Sequence, residues 1–196
     1  ETSECYRAYG EISPAYSMLN IQDVARIREF NPEMKLILML RDPIDRAWSN
    51  VRYGVGRGAL DADLASTDEI IEVLKQPDVT LRSDYGRTLD TYLQVFDSSQ
   101  LLICFYEAIK DNPIGLMAGV TDFLGLVPFA AGAVDERRRV NASEPRPIPS
   151  GVKAYLLETY GPMVESLSAM VGSYASQWQG AHGVRDDSRM VPTLHV

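Results

Sequence analysis

The run Lys35-Leu36-Ile37-Leu38-Met39-Leu40 ends abruptly in Arg41-Asp42-Pro43, and Ile44, Ala47, Trp48 and Val51 then recur at helical spacing. So short a continuous apolar run reads as a parallel-sheet strand buried on both faces. Asp42 before Pro43 is a helix start, an N-cap followed by a proline at the first helical position. The unit is therefore strand, tight turn, helix, with Arg41 at the turn. Ligands of open parallel sheets sit beyond the carboxyl ends of the strands. Arg41 occupies such an end, and Ser49 lies on the helix after it. A planar, permanently charged guanidinium and a nearby hydroxyl suit a phosphate. The competing reading has Arg41 capping a neighbouring helix and Ser49 as a plain surface residue.

The rest of the chain alternates in the same manner. Residues 4–11 read as a short strand, and Ser13-Pro14 as a helix start. Residues 21–30 carry a helical apolar face, and Gly54 to Gly58 with Arg57 forms a loop. A helix is expected over 68–75, a loop around Pro77, then a helix with Tyr85, Leu89, Tyr92, Leu93 and Phe96 on one face. Gln100–Tyr106 is a second buried strand, Asn112-Pro113 opens another helix, and residues 127–150 are loop-like with the basic cluster Arg137-Arg138-Arg139. A long amphipathic helix covers 152–171. The expectation is one α/β domain over residues 1–180 and a polar tail over 181–196.

Composition sets limits on function. The 196 residues carry a net charge of −8, which argues against nucleic acid as partner, because a polyanion needs a basic surface. A small anionic ligand held by a few arginines stays open. Two cysteines and two histidines argue against a zinc cluster, and no metal is expected. Cys104, within the apolar run Leu101–Phe105, reads as a buried free thiol, which favours a reducing, cytoplasmic setting. No apolar stretch is long enough to span a membrane, and no signal peptide opens the chain.

The run from Leu36 to Ser49 resembles the 3′-phosphate-binding strand-turn-helix of PAPS-dependent sulfotransferases, particularly the heparan-type and bacterial carbohydrate-type branch. Tyr85-Gly86-Arg87-Thr88-Leu89, then Gln100 to Glu107, Asn112-Pro113 and Phe123-Leu124-Gly125 come in the family's order, so the resemblance extends over about residues 9–178. It implies a P-loop-NTPase-like α/β fold, a parallel sheet flanked by helices. It also implies PAPS (3′-phosphoadenosine 5′-phosphosulfate) as co-substrate and adenosine 3′,5′-bisphosphate as product. Arg41 and Ser49 would hold the 3′-phosphate. The basic loop, with Arg139, Asn141 and Ser143 as candidates, would close over the nucleotide. Gly10-Glu11-Ile12-Ser13-Pro14-Ala15-Tyr16 resembles the segment whose glutamate is the family's proposed general base, here Glu11. The competing reading places Glu11 beside a helix dipole.

Two departures matter. Heparan-type members often have a lysine after that glutamate, where this chain has Ile12, which disfavours a highly sulfated acidic glycan. The family's Lys-x-Gly-Thr/Ser phosphosulfate loop and its strand are missing from the 196 residues. A segment preceding Glu1 is therefore expected in the native protein, and the sequence as it stands is expected to transfer no sulfate. The acceptor is a hydroxyl or amine on a small molecule, carbohydrate or lipid, and the oligomeric state is open. Two other functions compete: a non-catalytic nucleotide-binding or interaction domain that has lost the loop, and an ATP-using kinase relative. The latter is disfavoured by the lack of a Walker-type lysine.

Overall fold

The structure is a computed structural model, and it describes residues 8–56, 66–127 and 146–182. Its sheet has two parallel strands, β1 (Leu36–Leu40) and β2 (Leu101–Phe105), in the register Leu36 to Leu101 through Leu40 to Phe105. The Tyr106 amide continues the ladder by donating to the Leu40 carbonyl at 2.7 Å.

Helix starts are set by local chemistry. The Ser13 hydroxyl accepts from the Ala15 amide and opens a short 3-10 helix, Pro14–Met18. Asn20 caps α1 (Ile21–Phe30) by accepting from the Asp23 amide at 2.9 Å. Asp42 opens α2 (Pro43–Gly56). Ser66 and Glu69 form a reciprocal capping box on α3 (Thr67–Leu74). Then come α4 (Pro77–Ser83), α5 (Tyr85–Leu93), the short α6 (Ala108–Asp111) and α7 (Pro113–Leu124). Helix α7 stops where Gly125 turns left-handed at φ 71°, a conformation glycine adopts without a Cβ clash. Helices α8 (Ser150–Val171) and α9 (Ser173–His182) complete the described chain.

Three expectations are corrected. Residues 8–12 form no strand. The segment after Gln76 is helix α4 and not a loop, because Pro77 sits at the first helical position, where its missing N–H costs nothing. Strand β1 is buried on one face only: Leu40 is fully buried, whereas Ile37 and Met39 on the opposite face are each 42% exposed. The expected α2 start, α1, β2, α7 and the long α8 all appear.

The core has two parts. One packs the inner face of the sheet (Leu40, Ile103, Phe105) against Tyr85 and Leu89 of α5, Val164, Leu167 and Val171 of α8, and Ala175 and Trp178 of α9. The other joins Ile44, Ala47, Trp48 and Val51 of α2 to Ile70 and Leu74 of α3, Val79 of α4, and Val152, Leu156 and Tyr160 of α8. Helix α8 serves both, its first half in one and its second half in the other, with Pro162 between them. Each fully buried leucine contributes roughly 1.5–3 kcal/mol relative to exposure, so the helices around the Arg41 turn are held firmly. Gly172, at φ 57° and ψ −138°, makes the reversal that brings α9 back over the end of the sheet.

Candidate functional site: the Arg41 turn

The turn after β1 is fixed from below. Asp42 Oδ1 accepts from the amides of Ile44 at 2.9 Å and Asp45 at 3.2 Å, so the first turn of α2 is satisfied by its own cap. Those two helix amides are therefore already engaged. The Tyr85 hydroxyl, buried at the start of α5, donates to the Arg41 carbonyl at 2.8 Å and accepts from the Arg41 amide at 3.4 Å. Burial pushes the Tyr85 phenol up to about 12, so it stays protonated and donating at any physiological pH. Tyr85→Phe is expected to cost about 1–2 kcal/mol in urea unfolding, because the half-buried Arg41 carbonyl loses its donor.

Arg41 and Arg46 do different work. The Arg46 Nε donates to Ser83 Oγ at 2.6 Å and its NH2 to the Val79 carbonyl at 2.7 Å, tying α2 to α4. Burial lowers its pKa, yet it remains a cation. The Arg41 guanidinium instead lies over the Tyr106 ring at 4.8 Å and makes no hydrogen bond or ion pair among the described residues. It caps no helix, and its fork is available.

Ser49 is two turns into α2, with Asp45 one turn before it and Arg52 one turn after, so the three share a helical stripe. The Ser49 hydroxyl has no hydrogen bond among the described residues. The Asp45 carboxyl is raised above its ordinary value, first by desolvation and then by Asp42, while Arg41, His182 and Arg52 pull it down. Positive charge thus flanks the stripe holding Ser49 from both ends. A raised folded pKa means the folded state binds the proton more tightly. Its stabilising contribution is complete below the unfolded carboxylate range and lost as pH rises through the folded value. Ionised Asp45 is therefore a small net cost at pH 7, which surface water screens. Asp45→Asn is expected to raise the melting temperature by about 1 °C at pH 7 and not at all near pH 3, measured calorimetrically.

Glu11 lies in the irregular stretch before the 3-10 helix, exposed and without a partner among the described residues. The segment after Glu11 is anchored to α5. Arg87 donates to the Leu19 carbonyl at 3.0 Å and to the Ser17 carbonyl. Thr88 also donates to Ser17, at 3.2 Å, and the Tyr92 hydroxyl donates to the Tyr16 carbonyl at 2.9 Å. One helix thus fixes both the Arg41 backbone and the chain beyond Glu11. The apolar pattern located α5 but said nothing of this bracket. Its signal was the polar series Arg87, Thr88 and Tyr92 on an otherwise core-facing helix.

Arg139, Asn141 and Ser143 lie outside the described residues, as does Arg57. The described chain resumes at Arg146, whose carbonyl accepts from Trp48 Nε1 at 2.8 Å, one residue before Ser49. Among the described residues no group of side chains is arranged to hold a metal ion, and no helix is long and apolar enough to cross a membrane. Cys104 is a buried free thiol, its pKa raised by burial.

A parallel strand ending in an available guanidinium, then a self-capped helix bearing a hydroxyl, places the chain in the α/β class. Residues 21–146 match the sulfotransferase domain, and the chain belongs to that family. Human bifunctional heparan sulfate N-deacetylase/N-sulfotransferase 2 is 30% identical over 107 residues, 50% of this chain and 12% of that protein. Mouse carbohydrate sulfotransferase 15 is 27% identical over 184 residues, 78% of this chain and 32% of that protein. The chain thus spans a third or less of each of these relatives. A sulfotransferase structure from Alicyclobacillus acidocaldarius superposes with a TM-score of 0.65 at 24% identity, covering 88% of this chain and 68% of that one. This likeness is one of fold, and it agrees with the P-loop-like α/β architecture.

Proposed function

We propose that the protein moves a sulfuryl group from PAPS to a hydroxyl or amine acceptor, with Arg41 and Ser49 holding the nucleotide 3′-phosphate and Glu11 accepting the acceptor's proton. The observation that carries this reading is an Arg41 guanidinium at a parallel strand terminus with no hydrogen bond or ion pair among the described residues, followed by a helix whose Ser49 hydroxyl is likewise unengaged. Both groups fit a phosphate dianion, since the guanidinium offers parallel donors and the hydroxyl one more. Arg139, Asn141 and Ser143, three to seven residues before Arg146 in the sequence, would complete the nucleotide site.

PAPS supplies the activated sulfuryl group. Glu11 takes the acceptor proton as the acceptor oxygen or nitrogen bonds to sulfur and the bond from sulfur to the 5′-phosphate oxygen breaks, releasing adenosine 3′,5′-bisphosphate. Arg41 and Ser49 fix the nucleotide so that the two reacting groups lie in line. Ile12, fully exposed beside Glu11, presents an apolar surface to the acceptor and favours a neutral carbohydrate or lipid over a polyanionic glycan. The buried Cys104 thiol accords with a reducing, cytoplasmic setting.

Calorimetry of the full-length protein tests the site. Adenosine 3′,5′-bisphosphate should bind more tightly than AMP, and Arg41→Ala should weaken it about 30-fold, the worth of a charge-assisted phosphate contact. Unchanged affinity in Arg41→Ala would remove the 3′-phosphate from this site.

A further inference from the structure

Directly behind the Arg41 turn, a buried carboxylate and a half-buried one lie side by side. Asp42 is 6% exposed, and Glu107, just past β2, accepts the Asp42 amide on Oε1 at 3.3 Å. Negative charges here oppose an anion at Arg41 and oppose each other. One helix answers one oxygen of each, while Glu107 Oε2 has no hydrogen-bond partner among the described residues. Trp178 Nε1 donates to Glu107 Oε1 at 3.0 Å, and His182 Nε2 lies 2.6 Å from Asp42 Oδ2, with both of those last side chains about nine-tenths buried. Trp178 and His182 are four residues apart, on one face of α9. The Trp178 ring is held edge-on against Phe105 at 5.6 Å, which sets its register over the sheet. The Gly172 reversal delivers α9 to this place.

We propose that Trp178 and His182 form a positioning clamp for the nucleotide site: by engaging Glu107 and Asp42 they screen these two carboxylates and fix the α2 cap, and so keep Arg41 aimed and its field favourable to the 3′-phosphate. The division of the Asp42 carboxylate supports it. One oxygen accepts from the α2 amides and the other faces His182, so both oxygens of Asp42 are held by partners other than Arg41. The groups facing His182 in this cluster are Asp42 and, further out, Asp45. Both are acidic, so an N–H donor is what this position requires. The clamp rests on the reading of Arg41 as the 3′-phosphate ligand.

The test is binding of adenosine 3′,5′-bisphosphate to the full-length protein, by calorimetry well below the melting temperature, with melting measured separately. His182→Phe keeps a ring but no donor and should weaken binding about tenfold. His182→Gln, whose amide N–H reaches to a similar distance, should stay within about threefold of the parent, a rescue that a purely structural role does not predict. Trp178→Phe, which removes the donor to Glu107 and keeps the packing, should weaken binding by about threefold, and it serves if His182→Phe does not fold. Parent-like affinity in His182→Phe, or in Trp178→Phe where that stands in, overturns the clamp if Arg41→Ala still loses binding. If Arg41→Ala keeps full affinity, the nucleotide reading itself fails.

Discussion

Glu11→Gln in the full-length protein is expected to slow sulfuryl transfer by about 10³-fold while adenosine 3′,5′-bisphosphate binds within about twofold of the parent. The glutamine keeps the shape and the hydrogen-bonding reach of the side chain but cannot take a proton from the attacking group. Glu11 is exposed, in a stretch without regular structure, and it supports no packing or cap among the described residues. The substitution should therefore leave the melting temperature unchanged. Its effect falls on kcat, since a proton acceptor acts in the transition state and not in nucleotide binding. Turnover retained at more than a tenth of the parent rate takes the base role from Glu11. A parallel loss of nucleotide affinity would instead place the side chain in the binding site.

Arg46→Leu is expected to lower the stability of the fold by about 2–3 kcal/mol in urea unfolding, with nucleotide affinity of the folded protein preserved. The substitution removes the donors to Ser83 and Val79 and leaves the fully buried Ser83 hydroxyl with one partner fewer. Arg46→Lys should cost nearly as much, because an ammonium cannot reproduce the two-direction reach of Nε and NH2. Arg41→Ala should behave oppositely, losing affinity and keeping stability, since its guanidinium lies over the Tyr106 ring and makes no hydrogen bond or ion pair among the described residues. The contrast between two arginines five positions apart is the sharpest check on the assignment. Stability lost in Arg41→Ala and affinity lost in Arg46→Leu would reverse the two roles.

Much of the fold was legible along the chain because its signals are local. A serine or asparagine before a proline, as at Ser13-Pro14 and Asn112-Pro113, opens a helix through contacts within three residues, and both do so here. The apolar runs of β1 and β2 and the long α8 face were equally plain. Pro77 was not, since the same residue that breaks a helix also begins one, and only its neighbours in space decide. Nor was the open face of β1: Ile37 and Met39 read as core from composition, but burial depends on what packs above them.

By itself the sequence determined the strand-turn-helix around Arg41, the net acidity that argues against a polyanion partner, and the order of motifs that places the chain among sulfotransferases. Only the tertiary structure decided which arginine is spent on the fold and which is open. It also brought Glu107, Trp178 and His182 behind the site from positions 65 to 140 residues away from Asp42. The physical reason is range. Caps and apolar periodicity act over a few residues, whereas the partner of a buried charge is chosen by the packing of elements remote in the chain, and no local pattern encodes it.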